Sequence, residues 1–198
     1  MNISIATEDI LTEEAMIKII ASKQKFNILH SLGKQGCGYL TNNLQKFNTL
    51  ANSHHILVVL DLDNRQNSVD FRNTIEEQIR NKNAKLKVII PVREVESWLL
   101  ADREGLSNFL CISKDKIDRE PEALLDPKEK IINLAKLSRD SNIKRGIPPK
   151  VGAAAKVGLS YNTLLSSFVR EHWNITRALE ISPSLRETVD FIDGIEHV

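Results

Sequence analysis

The segment HILVVLDL, residues 55–62, constrains the fold more than any other stretch of the chain. It is β-branched and aliphatic with no polar alternation, which is the pattern of a strand covered on both faces. Other segments alternate around it. NISIA near the N-terminus and FNILHSL read as strands, with LTEEAMIKIIASKQ between them carrying apolar residues at helical spacing (Leu11, Ala15, Ile19, Ile20). GKQGCG reads as a loop and YLTNNLQKFNTLA as a helix. After the central strand come a helix, SVDFRNTIEEQIRN, and a fourth strand, LKVIIPV, closed by Pro91. Strands alternating with helices predict right-handed crossovers and an α/β fold with a four-stranded, mainly parallel sheet flanked by helices.

Beyond residue 103 only helical patterns occur, with Asp126-Pro127 and Ser182-Pro183 as helix starts. The expected layout is an α/β core over residues 1–103 and a C-terminal helical extension over residues 104–198 packed on it. RDSNIKRGIPPKVGAAAKVG, residues 139–158, reads as a long loop. The chain's 198 residues suffice for one substantial core. Lys and Arg total 27 against 26 Asp and Glu, so net charge by itself selects no partner, and any nucleic-acid surface must be a local basic patch. MNISIATED has no secretory pattern, and no apolar run reaches the ~20 residues that span a bilayer. Cys37 and Cys111 form no CxxC pair and read as reduced thiols. A cytoplasmic protein with no membrane association is the expectation.

Ligands bind at the carboxyl ends of the strands in an open parallel sheet. Acids stand there after three of the four strands: Glu8 and Asp9 after the first, Asp61 and Asp63 after the third, Glu94 and Glu96 (with Arg93) after the fourth. In an extended strand Asp61 and Asp63 point to one side, roughly 7 Å apart. Carboxylates crowded at a partly buried edge repel, and a hard divalent cation relieves them. Singly each has a plainer account. A D-x-D at a strand end is often a turn and a helix cap; Glu8 suits a helix N-terminus; Glu94 and Glu96 can pair with Arg93. Together they favour Mg²⁺ or Mn²⁺ held by Glu8, Asp61 and Asp63, with Glu94 or, preferably, Glu96 completing a second site. Glu8, Asp61, Asp63 and Glu96 are the expected catalytic set. Lys144, Arg145, Lys150 and Lys156 lie in a basic stretch and are the candidates for phosphate and nucleic-acid contacts, against a solvated surface loop. Trp98, Leu99 and Leu100 read as core, Tyr161 as structural. His30, His54, His55, His172 and His197 share no ligand spacing.

A glutamate after the first strand and D-x-D after the third resembles the Toprim domain of topoisomerases, bacterial primases and overcoming-lysogenization-defect nucleases. REVESWLLAD, VGLSYNTLLSSFVREHW and ALEISPSLRE further resemble a family of small bacterial Toprim-like proteins often encoded beside ATPases. The resemblance implies that Glu8 acts in acid–base chemistry or as a metal ligand, and that Asp61 and Asp63 bind Mg²⁺. The implied activity is a metal-dependent nuclease acting on nucleic acid, with DNA as the implied substrate, as effector of an ATPase-coupled antiviral defence system. Where the Toprim pattern has Glu-Gly, this chain has Glu8-Asp9. That departure leaves an alternative, a catalytically inactive Toprim-like binding or regulatory subunit.

Overall fold

The computed structural model describes residues 1–195; His197 lies outside them. The α/β half runs β1 (Asn2–Thr7), α1 (Ile10–Ala21), β2 (Asn27–Gly33), α2 (Gly36–Asn42), α3 (Leu44–Leu50), β3 (His55–Val59), α4 (Ser68–Glu76) and β4 (Leu86–Ile89). The helical half comprises α5 (Glu96–Ala101), α6 (Arg103–Phe109), α7 (Pro127–Lys136), α8 (Ser141–Gly146), α9 (Tyr161–Glu171), α10 (Ile175–Leu179) and α11 (Pro183–Asp193), with 3-10 turns at Lys114–Lys116 and Pro121–Ala123.

The strands form one sheet in the order β2-β1-β3-β4, and every pairing is parallel. The uniform apolarity of β3 now has its cause. Leu57 and Val59 enter a core cluster with Leu11 and Ile19 of α1, while Ile56, Val58 and Leu60 enter a second cluster with Phe47 of α3 and Phe71 of α4. Successive side chains of a strand face opposite ways, so a central strand between two helical layers is apolar at every position. The first of these clusters also takes in Trp98, Leu165, Phe168, Leu185 and Ile192, so apolar residues on both sides of position 103 share one core. Trp98, Leu99 and Leu100 are fully buried in it, as their apolar run predicts.

Local signals explain most helix starts. Asp9, Asp126 and Ser182 each accept a hydrogen bond from the backbone N–H three residues on, and Pro127 and Pro183 occupy first helical positions. Two expectations need correction. The helix expected over residues 39–51 begins three residues earlier and breaks at Asn43, whose side chain donates to Tyr39 O at 2.7 Å instead of leaving the backbone to continue. The expected loop at 139–158 contains α8, because Asp140 caps it and Ile143 gives it a buried anchor. Among the described residues no helix is long and apolar enough to cross a membrane.

Candidate active site

The carboxyl edge of the sheet collects acids by simple continuation of the backbone. β1 ends at Thr7, and Glu8 then turns its side chain toward the neighbouring strand: its Oε1 accepts a hydrogen bond from Asp61 N at 2.9 Å. A carboxylate thus stands where the next ladder carbonyl would have been. Leu60 and Leu62 keep β3's exit pinned to the β4 side, donating to Ile89 O and Pro91 O. Between them, Asp61 points inward and is 6% exposed. Its Oδ1 is enclosed with no hydrogen-bond partner.

Glu96 opens α5 and is 1% exposed. Its Oε1 accepts from the buried Tyr161 hydroxyl at 2.8 Å and stands 3.5 Å from Lys128 Nζ, while its Oε2 has no partner. Glu94 is fully engaged instead: Oε1 accepts from the backbone N–H of Lys128 at 3.1 Å and Oε2 from its ammonium at 2.7 Å. Of the fourth strand's two acids, Glu96 is therefore the one with a free oxygen.

Asp63 lies differently from the strand-based expectation. The strand has ended, the backbone at Asp63 is left-handed (φ 51°), and its exposed carboxylate sits 3.3 Å from Arg65. An i, i+2 pair shares a side only while the chain remains extended, and here it does not. Asp63 stays close enough to help raise the Glu8 carboxyl, but it stands at the rim of the site.

The electrostatics follow from this packing. Burial, and then the charges of Asp63 and Asp9, lift the Glu8 carboxyl to about 7 against the hydrogen bond from Asp61 N. Burial, reinforced by Glu96, Glu8 and Asp9, holds Asp61 well above the usual range. Burial likewise raises Glu96 to about 7, although Lys128 opposes the rise. Lys128 goes the other way: burial works against its charge, but Glu96 and Glu94 more than compensate and keep it protonated. Three carboxyls that resist ionisation at one strand edge are an unusual concentration, of a kind associated with functional sites.

Among the described residues no three His, Cys, Asp or Glu side chains stand close enough to cage a metal ion by themselves. Mg²⁺ does not need such a cage, since it commonly takes one or two carboxylates and fills its remaining positions with water and substrate phosphate oxygens. The unpartnered oxygens at this edge are Asp61 Oδ1 and Glu96 Oε2, with Glu8 held beside Asp61 by the Asp61 backbone N–H.

The basic residues lie on the helical side. Arg145 of α8 and Lys150 line a cleft of about 610 Å³ with Pro148 and Leu164, and Lys144 is exposed on α8. Lys156 lines a second cleft, of about 340 Å³, together with Lys128 and Lys136. Lys128 is the link, because its ammonium also reaches the carboxylates. In the sequence Lys128 carries no signal and Tyr161 reads as structural, since their positions at the acids arise from where α7 and α9 dock.

A family model described as a domain of unknown function, DUF4276, matches residues 6–185. No curated protein and no solved structure matches the chain. The matched span runs from the end of β1 into α11 and includes Glu8, Asp61, Glu96, Lys128 and Tyr161; the chain belongs to the DUF4276 family.

Proposed function

We propose that the protein is a cytoplasmic, Mg²⁺- or Mn²⁺-dependent nuclease of Toprim type, acting on DNA as the effector beside an ATPase partner in defence against foreign DNA. The observation that carries the chemical part is the pair of enclosed, unpartnered carboxylate oxygens, Asp61 Oδ1 and Glu96 Oε2, at the ligand-binding edge of a parallel sheet. Leaving such atoms uncompensated costs folding free energy. Toprim resemblance supplies the reaction class, and the defence role and the ATPase rest on that resemblance alone.

In this reading Asp61 and Glu96 would hold the ion through their unpartnered oxygens, and it would supply Lewis-acid polarisation of a phosphodiester. Glu8, with one oxygen on Asp61 N and a carboxyl raised to about 7, is poised to exchange a proton with the attacking water. Tyr161 fixes the Glu96 carboxylate through its hydroxyl, leaving Oε2 for the ion. Asp63 and Arg65 border the entrance. Lys144, Arg145, Lys150 and Lys156 bind the polyanion backbone without reading sequence.

A second reading is favoured by Lys128. An ammonium already neutralises Glu94 and part of Glu96, as in a protein that keeps the fold and has lost the metal reaction, serving as a binding or regulatory subunit. One experiment separates the two. Plasmid and single-stranded DNA are incubated with the protein and Mg²⁺ or Mn²⁺, with and without the ATPase, and compared with Asp61→Asn. Cleavage that needs the metal and disappears in Asp61→Asn supports the nuclease; intact DNA under every condition leaves the binding subunit.

A further inference from the structure

Lys128 stands where a second cation would be needed. Two-metal phosphodiesterases place their ions roughly 3.5–4 Å apart and share carboxylates between them. Here Glu94 spends one oxygen on the Lys128 backbone N–H and the other on its ammonium, and Glu96 turns its Oε1 toward both Tyr161 and that same ammonium. Only the Asp61 side of the cluster keeps enclosed oxygens that nothing satisfies, Asp61 Oδ1 and Glu96 Oε2. The acids thus divide into a half already neutralised by protein and a half that is not.

We infer that Lys128 fills the second cation position of the carboxylate site, so that the protein takes a single divalent ion between Asp61 and Glu96. The inference rests on the carboxylate–metal reading above and deepens it. Lys128 is held from two directions, its backbone at the start of α7 and its ammonium in the acids, and it also lines the cleft that holds Lys156. A phosphate entering that cleft meets the fixed positive charge of Lys128 together with Lys136 and Lys156. A lysine held this way confers charge without an exchangeable coordination sphere, and Glu94 becomes its positioning partner, not a ligand.

Calorimetric titration of the full chain with Mn²⁺ tests this. The wild type is expected to bind one ion. Lys128→Ala frees Glu94 and half of Glu96 and is expected to bind a second, which Lys128→Ala combined with Glu94→Gln loses again. Should Lys128→Ala not fold, Glu94→Gln in the otherwise wild-type chain decides: its count stays at one if Glu94 serves the lysine and falls if Glu94 is a ligand, which overturns the inference. Two ions in the wild type, or a single ion bound with unchanged affinity by Lys128→Ala, also overturn it while leaving the carboxylate–metal reading standing. No ion in the wild type removes both.

Discussion

At the scale of single residues, Asp61 is the most consequential side chain in the molecule. It is almost wholly enclosed, one oxygen has no partner, and burial together with Glu96 and Glu8 raises its carboxyl. Glu8 and Glu96 are raised to about 7 for the same first reason. An acid whose folded-state pKa lies above its unfolded one stabilises the fold at low pH, and that contribution is lost as pH climbs through the folded value. With the unfolded values near 4 and two of the folded ones near 7, the metal-free protein is expected to lose melting temperature steadily from pH 5 to pH 8. Lys128, held protonated throughout, adds no slope in that window. Asp61→Asn, measured in chelator by thermal melting at pH 8, is expected to be more stable than wild type by about 1–2 kcal/mol, because it removes a carboxyl whose ionisation burial, Glu96 and Glu8 all oppose. Mn²⁺ should then raise the wild-type melting temperature at pH 8 and leave Asp61→Asn where it was. Asp63→Asn should keep most of the Mn²⁺ response, since Asp63 is an exposed rim residue. A melting temperature that rises from pH 5 to pH 8 would contradict this account of the cluster.

At the scale of elements, the exits of β2, β3 and β4 share a feature that strand and helix patterns do not reveal. Gly33 at the end of β2 with Lys34 after it, Asp63 after β3 and Arg93 after β4 all have left-handed backbone. For the non-glycine residues this costs about 1 kcal/mol or more each, and such strain concentrates at functional sites. Two of these loops are laced together: Asp63 N donates to Arg93 O at 2.8 Å, and the Arg93 guanidinium donates to the carbonyls of Asp63 and Arg65. Gly33 is different, because a Cβ there would lie 2.2 Å from Thr7 O, one residue before Glu8. Gly33→Ala is therefore expected to cost more than ~1 kcal/mol in chemical denaturation and to weaken Mn²⁺ binding by displacing the end of β1. A variant as stable as wild type would show that this turn is not constrained as described. The turn positions were legible only as Gly-rich or Asp-rich punctuation, because local sequence marks a chain reversal without fixing which way it aims its side chains.

At the scale of the whole molecule, the helical half completes the site. Glu96 depends on Tyr161 and Lys128, which arrive on α9 and α7. Asp102, fully buried, joins the two regions: it accepts from Gly105 N within α6, from Asn174 N, and twice from the Arg177 guanidinium of α10, at 2.6 and 3.0 Å. Asp102→Ala strips the acceptor from the backbone N–H groups of Gly105 and Asn174 as well as from the half-exposed Arg177, so it should lower the urea midpoint. With one apolar cluster running from β1 to α11, wild-type unfolding should be a single transition by fluorescence and circular dichroism alike; two separated transitions would mean that the halves are independent. For DNA binding, neutralising Lys144, Arg145, Lys150 and Lys156 together should reduce the salt slope by ~1 for each residue that touches phosphate, and an unchanged slope would place the nucleic acid elsewhere.

The sequence by itself determined the class of fold and the sheet edge at which the acids gather. The double-sided burial of β3, the parallel order and the acids at strand ends are local consequences of side-chain period and of which residues follow a strand. Which acids keep an unpartnered oxygen was decided by the tertiary structure. Asp63 is turned to the rim once the strand ends; Glu94 is taken by Lys128, 34 residues away; Glu96 is held by Tyr161, 65 residues away. The choice among neighbouring carboxylates depends on which distant cation or hydroxyl packs against each, and no spacing along the chain encodes that approach.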